Sequence, residues 1–369
     1  MLRRSPGILL AVAVWSFLSQ TASAQLVFNI TNDATATQPM IDGFPKAAGI
    51  WSAAIHDPIT INVTIKGSSL PAGVTGFTTS FTDTYSYAVA RAALVAKRTS
   101  GIDISSTNAL QAGPAFSMLI NRTANNPNGI VSATPYFDTG LGGPGQAGAE
   151  NNSSIRINTA NQKVLGLLPA NLGTQDGTIT FSNTVNFDYD RSNGIAANQI
   201  DFVGIATHEL GHLLGFQSGV DTLGNNGTAP GLNDNKLPFV TTLDLFRFSS
   251  RSVGTGGGVG VIDWTADNTT KYLSVNGGAT ALAAFSNGVK FGDGVEASHW
   301  KDNSNLGIMD PTAGVGELLA ISNNDLSAFD IIGYDVAPVP EPASYLAICA
   351  AFTCLAYVVQ TFRLRMGPT

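Results

Sequence analysis

The sequence predicts an α+β fold with a twisted mixed sheet, and three observations favour it. Apolar residues alternate at 59, 61, 63 and 65, which is typical of a half-buried strand. Residues 87–98 then form a run of strong helix formers. Residues 198–214 carry an apolar stripe at helical spacing. A strand followed closely by a helix fits a layered α+β domain.

Further elements follow along the chain in order. Residues 47–55 predict a short helix before the first strand. Alternating apolar residues between 178 and 189 predict a strand pair beside a cleft. Asn198 is a plausible cap for the helix that follows, and Gly215 ends it where a left-handed conformation is needed. Near the end, Ser322 with Asp325 three residues later predicts the cap of a helix that stops at Gly333.

The first 24 residues have the pattern of a secretory signal peptide. Arg3 and Arg4 precede an apolar run, and the small-residue sequence Ala22-Ser23-Ala24 follows it. A buried N-terminal helix would explain the apolar run but not its basic start or the small-residue site. We therefore expect residues 1–24 to be removed and the chain to be exported.

The C-terminal residues form a second targeting segment. A Val-Pro-Glu-Pro-Ala-Ser motif within 337–344 precedes an apolar run at 345–362, which is about long enough to cross a bilayer, and a basic tail at 363–369. This succession resembles the PEP-C-terminal sorting signal of Gram-negative bacteria. The resemblance implies an exosortase-type partner and a cell-surface, outer-membrane-side or extracellular location; a plain membrane anchor is the alternative.

Composition excludes two classes of function for the body of the chain, residues 25–336. The net charge of -7 and the pI near 5.0 argue against nucleic acid as a partner, because no basic stripe would neutralise phosphates. Both cysteines, Cys349 and Cys354, lie in the apolar C-terminal run. The body therefore has no disulfide and no cysteine nucleophile.

Residues 208–212 carry the strongest chemical signal, an H-E-x-x-H pattern on the helix predicted over 198–214. Two histidines four residues apart lie on one face of a helix, so His208 and His212 can bind the same zinc ion. Glu209 then lies beside the metal and can act as general base toward a water molecule that zinc activates. This pattern predicts hydrolysis of a peptide bond.

A catalytic zinc needs a third protein ligand and an open position. The pattern continues through Gly215 and resembles the metzincin clan of zinc peptidases, but Ser218 stands where that clan has its third histidine. The leishmanolysin-like branch carries an insertion at this point, and the chain resembles that branch. The resemblance implies an insertion at about 219–295 and His299, in a His-Trp pair, as the third ligand. Asp221 is the alternative third ligand.

The same resemblance implies a zincin-like architecture for residues 25–336. An active-site helix would lie beside the sheet, a methionine turn at Met309 would form the floor of the metal site, and a helical subdomain would close the C-terminal side. The chain departs from the clan because it lacks an inhibitory cysteine and a tyrosine shortly after Met309.

The leading hypothesis is a secreted or surface Zn²⁺-dependent endopeptidase that cleaves proteins or peptides. An exported surface or matrix protein with a structural or vestigial metal site is the alternative from another class. Glu209 favours the enzyme, since a structural zinc site has no use for a carboxylate at this position. Hydrolysis of a non-peptide amide would use the same residues.

Overall fold

The computed structural model describes residues 25–139, 150–254 and 260–336. The predicted signal peptide, the sorting motif, the apolar run at 345–362 and the basic tail all lie outside these ranges. Within the described ranges, no helix is both long enough and apolar enough to cross a membrane. Export and surface location therefore stay predictions from the sequence.

Helices and strands are interspersed along the described chain. The helices are α1 (Gln38–Ala54), α2 (Tyr87–Ala96), α3 (Gly101–Asn108), α4 (Glu150–Ser153), α5 (Thr159–Val164), α6 (Phe202–Leu214), α7 (Val220–Asn226), α8 (Ser250–Gly254) and α9 (Asn323–Ile331). The strands are β1 (Val27–Asn32), β2 (Thr60–Ser68), β3 (Gly76–Ser80), β4 (Thr82–Ser86), β5 (Met118–Ile120), β6 (Tyr136–Asp138), β7 (Ser154–Asn158), β8 (Gly177–Ser182), β9 (Phe187–Asp188), β10 (Ile200–Asp201), β11 (Arg247–Phe248), β12 (Ile262–Asp263), β13 (Lys271–Leu273) and β14 (Ala283–Phe285). The chain is therefore mixed α and β, as predicted.

The largest sheet has four strands in the order β1-β2-β8-β3. β1, β2 and β8 are parallel to one another, whereas β3 is antiparallel to β8 and forms one edge. The sheet is therefore mixed, as predicted. Ile61, Val63 and Ile65 of β2 are at most 1% exposed, so the alternation read from the sequence marks a buried strand.

Helices α1 and α6 pack together on this sheet. Trp51 of α1 is fully buried, and its indole nitrogen donates a hydrogen bond of 2.8 Å to the carbonyl oxygen of Thr207 in α6. α1 begins nine residues before the predicted start at 47 and contains Pro45. The sequence pattern missed the first two turns because a proline inside a helix normally marks its boundary.

The strand pair predicted between 178 and 189 is wrong in its pairing. β8 lies between β2 and β3 in the large sheet, whereas β9 pairs with β10 in a separate two-stranded sheet. The strand that lies nearest to helix α6 is instead β3. β3 reads Gly-Phe-Thr-Thr-Ser and has no apolar alternation, so the sequence pattern did not reveal it.

Between α6 and α9 the described chain is mixed α and β, and α9 is the one helix or strand described after residue 295, where a helical subdomain was predicted. β11, β13 and β14 form one small antiparallel sheet, and a turn at 276–278 separates β13 from β14. β12 pairs with β5, which lies outside the predicted insertion at 219–295. The residues predicted to form the insertion therefore share a sheet with the preceding chain, and the insertion itself stays a prediction.

Candidate metal centre and cleft

Helix α6 presents the H-E-x-x-H residues, and its two ends are fixed by separate devices. Asp201, not Asn198, caps the start: its carboxylate accepts a hydrogen bond of 3.0 Å from the backbone of Gly204. The Asn198 prediction failed because Asn198 lies in a turn and strand β10 follows it before the helix begins. At the other end, Gly215 has a φ of 127°, the left-handed conformation predicted from the sequence.

Three histidines converge at one point. The Nε2 atom of His212 lies 3.1 Å from that of His208 and 3.2 Å from that of His299, and the His208 and His299 Nε2 atoms are 3.2 Å apart. Two ligands at about 2.0 Å from a tetrahedral ion would be about 3.3 Å apart. The structure therefore brings together three histidines that could hold a metal ion.

The hydrogen bond that each Nδ1 atom makes indicates whether the Nε2 atom of the same ring carries a hydrogen. The Nδ1 atoms of His208, His212 and His299 lie 2.7, 2.8 and 3.2 Å from the backbone carbonyl oxygens of Ile308, Phe216 and Glu296, respectively. Because a carbonyl only accepts, each Nδ1 must carry the hydrogen, which leaves three Nε2 lone pairs facing one another. A cation at their centre would relieve this repulsion.

The electrostatics of the three rings agree with this arrangement. Burial lowers the pKa of His208 to about 4 and, together with the neighbouring His208, lowers that of His212 to about 3. The pKa of His299 is lowered well below its ordinary value, chiefly by burial. All three rings are therefore neutral at pH 7, the form that binds metals.

Met309 packs against the turn of α6 that carries the histidines. The Met309 sulfur occupies the space that a Cβ at Gly211 would need, so a larger residue there would force the Met309 side chain to move. The backbone carbonyl of Met309 accepts a hydrogen bond of 2.9 Å from the nitrogen of Trp300, next to His299. Met309 thus links the third histidine to the helix that carries the other two.

Asp325 organises the same region, a role that sequence reasoning missed. Its carboxylate accepts hydrogen bonds from the indole of Trp300 at 2.8 Å and from the backbone nitrogens of Ile308 and Met309 at 2.8 and 3.3 Å. It also completes the capping box with Ser322 that the sequence predicted. One carboxylate therefore caps α9 and positions the carbonyl that orients His208.

Glu209 lies beside the histidines, and its carboxylate contacts β3. The hydroxyl of Thr78 lies 2.7 Å from Oε2 and 2.8 Å from the backbone carbonyl of Glu209. A Cβ at Gly76 would lie 3.1 Å from Oε1, so β3 approaches closely. Burial raises the pKa of Glu209 to about 7, while the Thr78 hydrogen bond acts in the opposite direction. Thr78 is a second functional residue that sequence reasoning missed.

Asp221, the alternative third ligand, lies outside this group. Its two carboxylate oxygens accept hydrogen bonds from the backbone nitrogens of Val289 at 2.8 Å and Ala297 at 2.7 Å. Ser218 is also engaged elsewhere, because its hydroxyl donates to Asp244 and its backbone nitrogen donates to Ser298. Of the candidate third ligands, the described structure therefore brings only His299 to the two helix histidines.

The three histidines lie at the surface of a cleft of about 1050 Å³. β3 forms one wall, and residues 310–313 lie on the cleft surface with the histidines. Near the first turn of α6 the cleft is lined by apolar residues: Val185, Ile200, Ile205 and Leu319. Beyond the end of α6 it is lined by polar residues: Arg156, Gln217 and Thr241. One end of the cleft is therefore apolar and the other polar.

Comparisons with protein-family models, curated proteins and solved structures gave no match for this chain.

Proposed function

We propose that the chain is an exported zinc-dependent endopeptidase with a zincin-like catalytic domain. The observation that carries the proposal is the convergence of three unprotonated histidine nitrogens beside a buried glutamate, at the surface of a large cleft. The donor set suits zinc, because imidazole is among its preferred ligands and three protein ligands leave a position open for catalysis. His208, His212 and His299 would hold the ion.

Glu209 supplies the proton chemistry in this mechanism. A bound zinc ion would polarise the peptide carbonyl and make water nucleophilic near neutral pH. Glu209 accepts the proton from the attacking water and returns it to the leaving amine, so the carboxylate is regenerated after each cycle. Thr78 fixes the rotamer of Glu209, since its hydroxyl contacts both the carboxylate and the backbone of that residue.

β3 offers the place where a substrate would bind. It is one of the two edge strands of the sheet and lines the cleft beside Glu209. An extended peptide can add to such an edge through backbone hydrogen bonds, which bind any sequence and leave specificity to the side chains. This arrangement favours proteins or peptides over small amides as substrates.

A structural metal site is less consistent with the geometry. Such a site is closed by a fourth protein ligand. Within the described part of the chain, no further histidine, cysteine, aspartate or glutamate joins the three histidines. The three histidines and Glu209 all line the cleft, so a ligand position that the histidines leave open would be accessible to a substrate. This openness supports an enzyme.

The test is a metal-dependent proteolysis assay. We expect the purified chain to contain one zinc ion and to cleave unfolded casein. Removal of zinc with a chelator should abolish cleavage, and added zinc should restore it. Cleavage that survives complete metal removal would overturn the proposal, and one bound zinc without cleavage of any peptide would favour the structural alternative.

Replacing Thr78 with valine tests how Glu209 is positioned. Valine has nearly the same shape but removes the hydroxyl, so we expect kcat to fall roughly tenfold, the value of one hydrogen bond to a charged group. KM should change little, because the lost contact is to Glu209 and not to the substrate. Steady-state kinetics on a fluorogenic peptide would measure both. Thr78→Ser should recover most of kcat; a variant Thr78→Val with parental kcat would contradict this role.

A further inference from the structure

Positive charge is confined to one place in the cleft. Among the described residues that line it, Arg156 is the only lysine or arginine, whereas Glu296 and Asp310 add negative charge to that of Glu209. No described aspartate or glutamate forms an ion pair with Arg156. A cation without an acidic partner, in a cleft that is otherwise acidic, is suited to meet a charge brought by a ligand.

The backbone of Arg156 is held from both sides. It lies in β7 opposite Thr84 of β4, and its nitrogen donates a hydrogen bond of 2.8 Å to the carbonyl of Val240. Its Nε donates to the hydroxyl of Thr82 at 2.8 Å, and the guanidinium carbon lies 5.4 Å from the ring centre of Phe239. The two terminal nitrogens of the guanidinium group, held in this orientation, remain able to bind a carboxylate.

The direction of β3 relates Arg156 to the catalytic centre. Thr78 contacts Glu209, and two residues later the hydroxyl of Ser80 accepts a hydrogen bond from Gln217 just beyond the end of α6. The chain then continues to Thr82, which holds Arg156. A peptide added antiparallel to β3 runs the opposite way. Its residues on the N-terminal side of the cleaved bond would therefore lie near Arg156.

The spacing along the chain indicates which residues these are. Thr78 in β3 and Thr82 at the start of β4 are four positions apart, which spans at most about 14 Å of extended chain. Substrate residues about two to four positions before the cleaved bond would lie in this interval, because the arginine side chain extends toward the centre. The opposite end of the cleft is lined by Val185, Ile200 and Leu319 and has no cation among its described residues.

We propose that Arg156 makes the cleft selective for substrates with aspartate or glutamate two to four residues before the cleaved bond. This inference rests on the proposed peptidase function and names its substrate class. A carboxylate side chain would accept hydrogen bonds from the two terminal nitrogens of Arg156 while its backbone pairs with β3. Lysine at the same place would meet a like charge and be disfavoured.

The test uses fluorogenic peptides that differ at a single position. Glutamate, glutamine or lysine is placed at each of four positions before and four positions after the cleaved bond. For the parent, we expect kcat/KM to be roughly fivefold to tenfold higher for glutamate than for lysine at one or more of the positions two to four before the bond. No such preference is expected after the bond.

Two variants decide whether Arg156 causes the preference. Arg156→Gln should bring the glutamate-to-lysine ratio close to one, and Arg156→Glu should reverse it in favour of lysine. Lys236→Gln is the matched control, because it removes one positive charge at an exposed position that does not line the cleft. This control should keep the parental ratio. Thermal unfolding followed by circular dichroism would show that all three variants fold.

Peptide binding separates failure of this inference from failure of the proposed function. The zinc-loaded Glu209→Gln chain binds peptides without cleaving them in this scheme, so fluorescence anisotropy can compare the glutamate and lysine peptides directly. If the parent cleaves nothing, the proposed function fails. The ratio of the affinities for the glutamate and lysine peptides, measured by anisotropy, still decides the role of Arg156. Equal glutamate-to-lysine ratios in the parent and in Arg156→Glu would overturn the inference. A preference for glutamate found only after the cleaved bond would overturn it too.

Discussion

Glutamine in place of Glu209 is expected to lower kcat/KM for peptide cleavage by about a hundredfold to ten-thousandfold, the usual contribution of a general acid–base group. Glutamine has the shape of glutamate but cannot take a proton from water. The zinc content should stay at the parental value, because Glu209 is not among the three residues whose nitrogens converge. The expected result is therefore a folded, metal-loaded and inactive chain.

Metal analysis and peptide kinetics on the same preparation would measure both quantities. Glu317→Gln is the matched control, since it makes the same chemical change at an exposed residue outside the cleft and should keep parental activity. Parental activity in Glu209→Gln would show that another group takes the proton. Loss of zinc from this variant would instead show that Glu209 contributes to holding the metal, against the geometry of the three histidines.

The parts of the site that lie on one helix could be predicted from the sequence. His208, Glu209 and His212 are close in the chain, so helical periodicity alone relates them. Gly215 followed from the same local reasoning, because a helix end favours a left-handed glycine. His299 lies 87 residues after His212, and its role was inferred from family resemblance and from the need for a third ligand.

Residues that reach the site through sheet pairing could not be predicted. Thr78 contacts Glu209 across 131 residues of sequence, and its strand lacks the apolar alternation by which strands are recognised. Arg156 enters the cleft because β7 pairs with β4, which no local pattern in either strand specifies. Thr78 and Arg156 were therefore missed for the same reason: long-range strand pairing decides their position.

Local signals also failed to reveal that one residue can serve two purposes. Asp325 was recognised as a capping residue because it stands three positions after Ser322. The structure adds its hydrogen bonds to Trp300 and to the backbone of Ile308, whose carbonyl orients the ring of His208. The end of α9 and the metal centre are therefore coupled through one buried carboxylate, which explains why a distant helix belongs to the site.

Alanine in place of His299 is expected to remove most of the bound zinc. Zinc binding by a full set of protein ligands is worth about 10–16 kcal/mol, so the loss of one third of it would weaken affinity by roughly three orders of magnitude. The ring makes one polar contact outside the cluster, a 3.2 Å approach of Nδ1 to the carbonyl of Glu296, so the fold should survive its removal. Competition with a metal-sensitive dye would measure the affinity, and near-ultraviolet circular dichroism would confirm the native packing.

Asp221→Asn completes this test, because Asp221 is the other residue that could have supplied the third ligand. Asparagine keeps one acceptor but turns an amide group toward the backbone nitrogen of Val289 or Ala297, which should cost about 1–3 kcal/mol of unfolding free energy. Its zinc affinity should stay parental, since both carboxylate oxygens already bind backbone nitrogens. The two variants are therefore expected to differ in opposite ways. His299→Ala folds but loses zinc, and Asp221→Asn holds zinc but has a lower free energy of unfolding. The reverse pattern would assign the third ligand to Asp221 and would require the segment at 288–297 to rearrange when the ion binds.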